Sequence, residues 1–349
     1  MELSCGLYSL AMIYVTLPAD RPRRLPFYLA MEEYLASMPG LEGSVMFMWQ
    51  VEPTVICGRN QDVEKEVDLA YCRENSIDVV RRKSGGGCVF ADRSNIMFSM
   101  VTPSADVCTT FSAYTGMIAG MLRAIGLDAT DNSRNDILIG DRKVSGNAFY
   151  HLPGRSIVHG TMLYDIDPRH MGRAITPSRA KLESKGVKSV NSRLTTVREH
   201  SSITLPEFMA HARAWLCGNA EYRLTPDDVA AIEVLEQAYY RPGWLLRPLR
   251  HRSAAVTFSR HVEGVGEIRP DITLAPDGSI ECINLTGDFF LLSDLDTSLL
   301  HRLKGVLPTR EAMTSALAGV DASLTIAGLS TGLFIDILTE NLKQTTIYE

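Results

Sequence analysis

Apolar residues recur at helical spacing at Leu25, Leu29, Met31 and Leu35, and Pro39-Gly40 stops the run, so a helix is expected over 25–38. Ile13-Tyr14-Val15, Val45–Trp49 and Thr54–Cys57 run apolar or alternate between turn residues and read as strands. Residues 62–74 look like one amphipathic helix, and Ile77–Arg82 like a strand. Cys88–Phe90 and Ile96–Val101 suggest a hairpin around Ala91-Asp92-Arg93-Ser94-Asn95. A core helix is expected over Thr110–Ile125, with its stripe at Phe111, Tyr114, Ile118, Met121 and Leu122 and Gly126 as its stop. Three strands follow over Asp136–Ile139, Lys143–Tyr150 and Ser156–Tyr164, then helices over Pro206–Leu216 and Pro226–Tyr240, each with proline in its first turn. The pattern breaks at Arg241-Pro242-Gly243, which sets an expected division into residues 1–245 and 246–349. Beyond it, strands are expected over Ala254–Phe258, Ile268–Leu274 and Ile280–Leu285, and two short helical stretches end the chain.

The strand at 77–82 leads into Arg81-Arg82-Lys83-Ser84-Gly85-Gly86-Gly87-Cys88-Val89-Phe90. Glycine lets a backbone approach a ligand closely and adopt positive φ. Bare N–H groups can form an anion-binding concavity, and neighbouring cations would add charge-assisted hydrogen bonds. A Gly-rich bulge accounts for the three glycines alone. The run is not a P-loop, because no Lys-Ser/Thr follows the glycines. It is not a Rossmann turn either, because a strand and not a helix comes next.

A second segment changes the weight of the first. Asn132-Ser133-Arg134-Asn135-Asp136 is followed by Asp141-Arg142-Lys143-Val144-Ser145-Gly146 and then His159-Gly160-Thr161. Lys143 on a strand can present a point charge to an anion whose shape changes during reaction. Taken singly, Lys143 reads as an exposed strand lysine, Asn135-Asp136 as a turn and His159 as a packed histidine. An aspartate near phosphates can also share Mg2+ with their oxygens.

Bulk properties narrow the classes. The formal net charge of −6 argues against non-specific nucleic-acid binding, while local cation clusters suit a small anionic ligand. Seven dispersed cysteines without a CxxC pair read as reduced thiols in a cytoplasmic protein. No histidine spacing fits a structural zinc. No apolar run reaches membrane-spanning length, and the N-terminal stretch lacks the positive region of a signal peptide. Residues 1–11 are expected to add nothing to the fold.

These segments together resemble the lipoate–protein ligase family. The resemblance is carried by Arg81–Gly87 with Val89-Phe90 and Asp92, by Arg134-Asn135-Asp136, by Asp141–Gly146, by His159-Gly160-Thr161 and by Lys181–Val190. Trp49 and Pro53–Gln61 also look like the family, so most of residues 25–200 is covered, and Gly287-Asp288-Phe289-Phe290 is similar to its accessory domain. Ala91 and Ser94 depart from the family's usual His and Gly. Val158-His159 stands where paired histidines are usual, and Asn191 where a basic residue is usual.

The resemblance implies an α+β fold shared with biotin ligases and class II synthetases: a mixed or antiparallel sheet with flanking helices, plus a small α+β C-terminal domain. It implies that lipoate reacts with Mg-ATP to give lipoyl-AMP, and that an acceptor lysine then displaces AMP. The acceptors would be lipoyl domains of 2-oxoacid dehydrogenase E2 subunits and the glycine cleavage H protein, with no nucleic-acid or membrane partner. Lys143 would be the catalytic cation between carboxylate and α-phosphate. Arg82, Ser84, Gly85, Gly86, Gly87, Cys88, Val89, Phe90, Asn135 and Asp136 would bind ATP or adenylate with it, and Asp136 would hold Mg2+. Lipoate would meet Lys143, Ser84, Gly85, His159 and Gly160, in an apolar slot near Trp49. A loop bearing Lys181, Lys185 and Ser189 would cover the adenylate and exclude water. The alternatives are an octanoyl or lipoyl transferase or amidotransferase on the same fold, which needs a cysteine nucleophile, a biotin-type ligase, and a non-catalytic lipoate-binding protein.

Overall fold

The structure, a computed structural model, describes residues 12–19, 21–104, 107–131, 135–166, 168–176, 193–246 and 258–346. The α+β expectation holds. Strands β1 (Ile13–Thr16), β2 (Val45–Trp49), β3 (Thr54–Cys57), β4 (Asp78–Arg81), β5 (Val89–Ala91), β6 (Asn95–Thr102), β7 (Ala129–Asp131), β8 (Asp136–Ile139), β9 (Arg142–Leu152), β10 (Arg155–Leu163) and β11 (Glu221–Arg223) make two sheets. The larger has eight strands in the order β11-β1-β2-β6-β10-β9-β8-β7, parallel at the β11–β1–β2 end and antiparallel elsewhere. The smaller is β4-β3-β5. Residues 1–11 and all but Phe258 of the expected strand over 254–258 lie outside the described residues, and Phe258 is not in a strand.

Period-2 alternation feeds two cores from one sheet. Met46, Ile96, Phe98 and Met100 pack on one face with the helix α4, defined below. Val45, Phe47, Trp49, Met97 and Val101 pack on the other face with α1 (Leu25–Ser37). Two expectations fail here. The predicted helix over 62–74 is two helices, α2 (Val63–Glu66) and α3 (Leu69–Glu74). Val67 is extended and bridges Ile175, and Asp68 caps α3 by accepting from the Tyr71 N–H at 2.8 Å. A side-chain cap in mid-pattern overrides the apolar period. Nor do β5 and β6 form a hairpin: β5 pairs with β3 in the small sheet, and β6 with β2 and β10 in the large one. The link through Asp92–Ser94 is a crossing between sheets. Helix α4 (Val107–Arg123) and its Gly126 stop match expectation, with Gly126 at φ +84°.

The C-terminal unit has its own core around Ile268, Ile283, Phe289, Met313 and Phe334. Its antiparallel sheet is β12 (Arg260–Val262), β13 (Gly266–Leu274) and β14 (Ile280–Gly287). The closing helix, Thr331–Thr346, has 16 residues and is not the short stretch expected from the sequence.

The small sheet positions the glycine run. Strands β4 and β5 flank β3 on opposite sides, so residues 82–88 must cross over the end of β3. Gly58 follows β3, directly beneath that crossing. A Cβ on Gly58 would sit 1.9 Å from the Gly86 carbonyl oxygen, and Gly86 itself is at φ +85°. Gly58→Ala is therefore expected to lower stability by about 1–3 kcal/mol, the usual range for overpacking. Urea unfolding beside the parent chain measures it, and an unchanged midpoint would refute the close approach.

Candidate active site

Every cation of the Arg81-Arg82-Lys83 run is engaged by the protein itself. Arg81 is fully buried and donates to the carbonyls of Gly58, Arg59, Gln61, Trp244 and Leu245. Lys83 pairs with Glu33 at 2.5 Å and lies over the Tyr239 ring. Arg82 turns inward. Its Nε donates to Ser84 Oγ at 2.9 Å, Nη1 to the Ile56 carbonyl at 3.0 Å, and Nη2 to the carbonyls of Gly85 and Gly87 at 2.6 and 2.9 Å. Side-chain reach outward from Arg82, as sequence suggested, gives way to bracing of the loop from within. All four acceptors are neutral, so the guanidinium charge is not cancelled locally. Burial pulls Arg82 down to about 10, which still leaves it charged at neutral pH. A buried positive charge beneath bare backbone makes the crossing electropositive.

Ser84 joins the crossing to the large sheet. Its Oγ is 2.7 Å from His159 Nε2 on β10, and His159 Nδ1 is 2.9 Å from Glu32 Oε1 on α1. His159 thus bridges the Ser84 hydroxyl and the Glu32 carboxyl through its two ring nitrogens. Ser99 Oγ donates to Glu32 Oε1 at 2.6 Å, and Trp49 Nε1 donates to Ser99 Oγ at 2.9 Å. The chain thus runs from Arg82 through Ser84, His159, Glu32 and Ser99 to Trp49, the residue expected beside the lipoyl slot. Ser84, Ser99 and Glu32 are fully buried. Sequence reading missed Glu32. The available signal was its place on the apolar stripe of α1, three residues from both Leu29 and Leu35.

The second constellation lies at the start of β9. Lys143 Nζ is 2.6 Å from Asp136 Oδ1 on β8, and its side chain is about a quarter exposed (27%). Asn135 accepts from the N–H and Nδ2 of Asn147, at 2.9 and 3.0 Å, and its own Nδ2 donates to the Asn147 carbonyl. Asn147 is a further polar residue that the sequence did not single out. It also explains Gly160: a Cβ there would fall 1.9 Å from Asn147 Oδ1. Phe290 links the two constellations. Its ring atoms come within 3.2 Å of a Cβ built on Gly86, and it stacks on Phe149 of β9 with centroids 5.4 Å apart. The Phe289 carbonyl accepts from the Gly86 N–H at 3.3 Å. Cys88 is half-buried and Val89 borders the same edge, while the Phe90 side chain is core, packed near His170. Arg134, Lys181, Lys185, Ser189 and Asn191 lie outside the described residues.

Among the described residues, no group of three or more His, Cys, Asp or Glu side chains could hold a metal unaided. Asp136 fits only a cation shared with ligand oxygens. A cavity of about 860 Å3 opens beside Ser94, Tyr164 and Arg198, and none of the expected site residues line it.

The lipoyl protein ligase A/B catalytic domain family matches residues 25–216. The chain is 32% identical over 320 residues to lipoate-protein ligase LplJ of Bacillus subtilis (strain 168), covering 89% of this chain and 95% of that one. It is 33% identical over 303 residues to lipoate–protein ligase 1 of Staphylococcus aureus, covering 84% and 90%. Among solved structures, Plasmodium falciparum LipL1 in complex with lipoate superposes with a TM-score of 0.72 at 16% identity, over 95% of this chain and 99% of that one. A bipartite lipoate protein ligase with its E2 lipoyl domain from Thermoplasma acidophilum gives 0.60 at 25% identity, over 70% and 99%. Lipoate-protein ligase A bound with ATP gives 0.57 at 22%, over 68% and 98%. This chain belongs to the lipoate–protein ligase family.

Glu32→Ala would leave His159 Nδ1 and Ser99 Oγ without their acceptor. It is expected to cost about 1–3 kcal/mol, the penalty for stranding buried polar groups. Chemical denaturation measures it, and Glu32→Gln, which keeps one acceptor oxygen, should lose less. An alanine variant as stable as the parent would show that the chain is not structural.

Proposed function

We propose that this protein is an ATP-dependent lipoate–protein ligase that forms lipoyl-AMP and then an amide with a lysine of an acceptor lipoyl domain. Near-full-length identity of about a third to two lipoate–protein ligases carries the reading. The relatives whose structures hold lipoate, ATP or an E2 lipoyl domain support the substrate classes. E2 subunits of 2-oxoacid dehydrogenases and the glycine cleavage H protein are the proposed acceptors, and the proposed location is cytoplasmic. Residues 1–245 are proposed as the catalytic domain and 246–349 as the accessory domain.

The chemical problem is the approach of two anions, a carboxylate and an α-phosphate. Fixed positive charge lowers that barrier most when it is aimed in advance. Lys143 would be the reacting cation of the site. Its contact with Asp136 keeps it oriented, and a ligand anion would share or replace that carboxylate as its partner. Mg2+, when bound, would supply charge neutralisation to the triphosphate, held by Asp136 together with phosphate oxygens. Arg82 acts through the loop, presenting Gly85–Gly87, Cys88, Val89 and Phe90 main-chain groups over its own buried charge. Ser84, Gly85, His159 and Gly160 would meet the lipoyl carboxyl end, and Asn135 would meet the adenylate. A closing loop with Lys181, Lys185 and Ser189 is part of the same proposal.

The thiol-transferase alternative finds little support. The hydrogen bond to Cys57 and burial push the Cys88 thiol well up, away from a reactive thiolate.

Lys143→Ala is expected to reduce lipoate-dependent ATP–pyrophosphate exchange by about 10²-fold or more, in line with loss of one preorganised electrostatic group. Circular dichroism should show it folded. Exchange at the parent rate in the folded variant would remove Lys143 from the mechanism. Mass spectrometry of an apo lipoyl domain incubated with lipoate and Mg-ATP tests the transfer step.

A further inference from the structure

Cys57 ends β3, and Cys88 precedes β5. The β3–β5 register pairs Ile56 with Val89, so the next cross-strand pair sets Cys57 opposite Cys88. Their sulfurs are 3.7 Å apart. A disulfide needs a sulfur separation of about 2.05 Å, a closure of roughly 1.7 Å that side-chain rotation can supply when the strands are already opposed. The two thiols are not alike. Cys57 is fully buried, with Val55, Val63 and Phe90 around it. Cys88 is half-buried, and its Sγ also lies 3.1 Å from Gln61 Oε1, which accepts from the Gly58 N–H at 2.9 Å. The hydrogen bond from Cys88 pulls the Cys57 thiol down, helped by Arg81 and Arg82 and opposed by burial. Cys88 goes the other way. The other described cysteines, Cys72, Cys217 and Cys282, show no such partner.

We propose that Cys57 and Cys88 form a reversible redox modification site, with a peroxide as its oxidant, that closes across the base of the glycine crossing. In the first step one sulfur of the pair attacks a peroxide oxygen. The O–O bond breaks, the distal oxygen leaves as water or an alcohol with the thiol proton, and that cysteine becomes a sulfenic acid. In the second, the other sulfur attacks the sulfenic sulfur. The S–O bond breaks, and hydroxide leaves as water with the second thiol's proton. Two electrons pass from the thiols to the peroxide, and a dithiol reductant reverses the change by exchange.

The consequence follows from position. Cys88 adjoins Gly87, whose carbonyl is held by Arg82. Closure draws Cys88 from Gln61 toward β3 and clamps one arm of the crossing. A shift of about 1 Å at a positioning element can cost up to about 10²-fold in rate, so oxidation is expected to lower pyrophosphate exchange at least about tenfold. This consequence rests on the ligase reading, whereas formation of the link does not.

The test uses the full-length protein, treated with hydrogen peroxide, thiol-blocked, digested and mapped by mass spectrometry. A peptide pair joined through Cys57 and Cys88, released by dithiothreitol, is the expected result. Exchange should fall with formation of the link and return on reduction, and Cys57→Ser should form no link to Cys88. Absence of the joined pair in oxidised parent protein overturns the site, with no variant needed. A joined protein of undiminished activity overturns the control function. If the reduced protein shows no exchange at all, the ligase reading fails, and the peptide map still decides the cysteine pair.

Discussion

The buried guanidinium of Arg82 holds this structure's working end together. Four neutral oxygens from β3, Ser84 and the glycine crossing surround it, and no carboxylate among the described residues forms a salt bridge with it. Burying a charge costs several kcal/mol unless hydrogen bonds compensate. Here they do, and the same bonds fix the carbonyls of Gly85 and Gly87 inward. A backbone whose carbonyls are turned inward has its N–H groups left to face elsewhere. The cation thereby shapes the crossing from within. Gly58 then follows as a necessity, since the crossing lies too close to the end of β3 for a side chain, and Gly86 because its φ is +85°.

From Arg82 the constraint spreads along a hydrogen-bonded chain through Ser84, His159, Glu32 and Ser99 to Trp49. The chain ties the small sheet to β10, α1, β6 and β2. It couples the glycine crossing to Trp49 on β2. The pair Lys143–Asp136 stands apart from this chain and is less buried.

The C-terminal unit contributes to the same region. Phe289 and Phe290 lie against Gly85 and Gly86, and the Gly287 N–H donates to the Asn60 carbonyl at 2.9 Å. Arg269 reaches across to Glu66 at 2.7 Å while pairing with Glu267 at 2.8 Å. Burial opposes this charge, yet its two carboxylates hold Arg269 well above the ordinary arginine range. Removing one partner of such a buried group is costlier than the pair itself is stabilising. A contact of this kind therefore fixes the docking geometry more than it adds stability.

Local sequence determined the elements, because hydrophobic period, proline, glycine and caps act over a few residues. It marked α1, α4 and β8–β10 closely, it flagged the glycine run by composition, and Lys143 stood out only through the family resemblance. It misjudged Asp68, whose cap splits a helical pattern, and the link at Asp92–Ser94, where two strands part into different sheets. Only tertiary structure revealed that Arg82 faces inward, that Glu32 sits beneath His159, and that Cys57 opposes Cys88. These depend on which strands become neighbours, and hydrogen-bond partners more than a hundred residues apart, such as Glu32 and His159, leave no local trace in the chain.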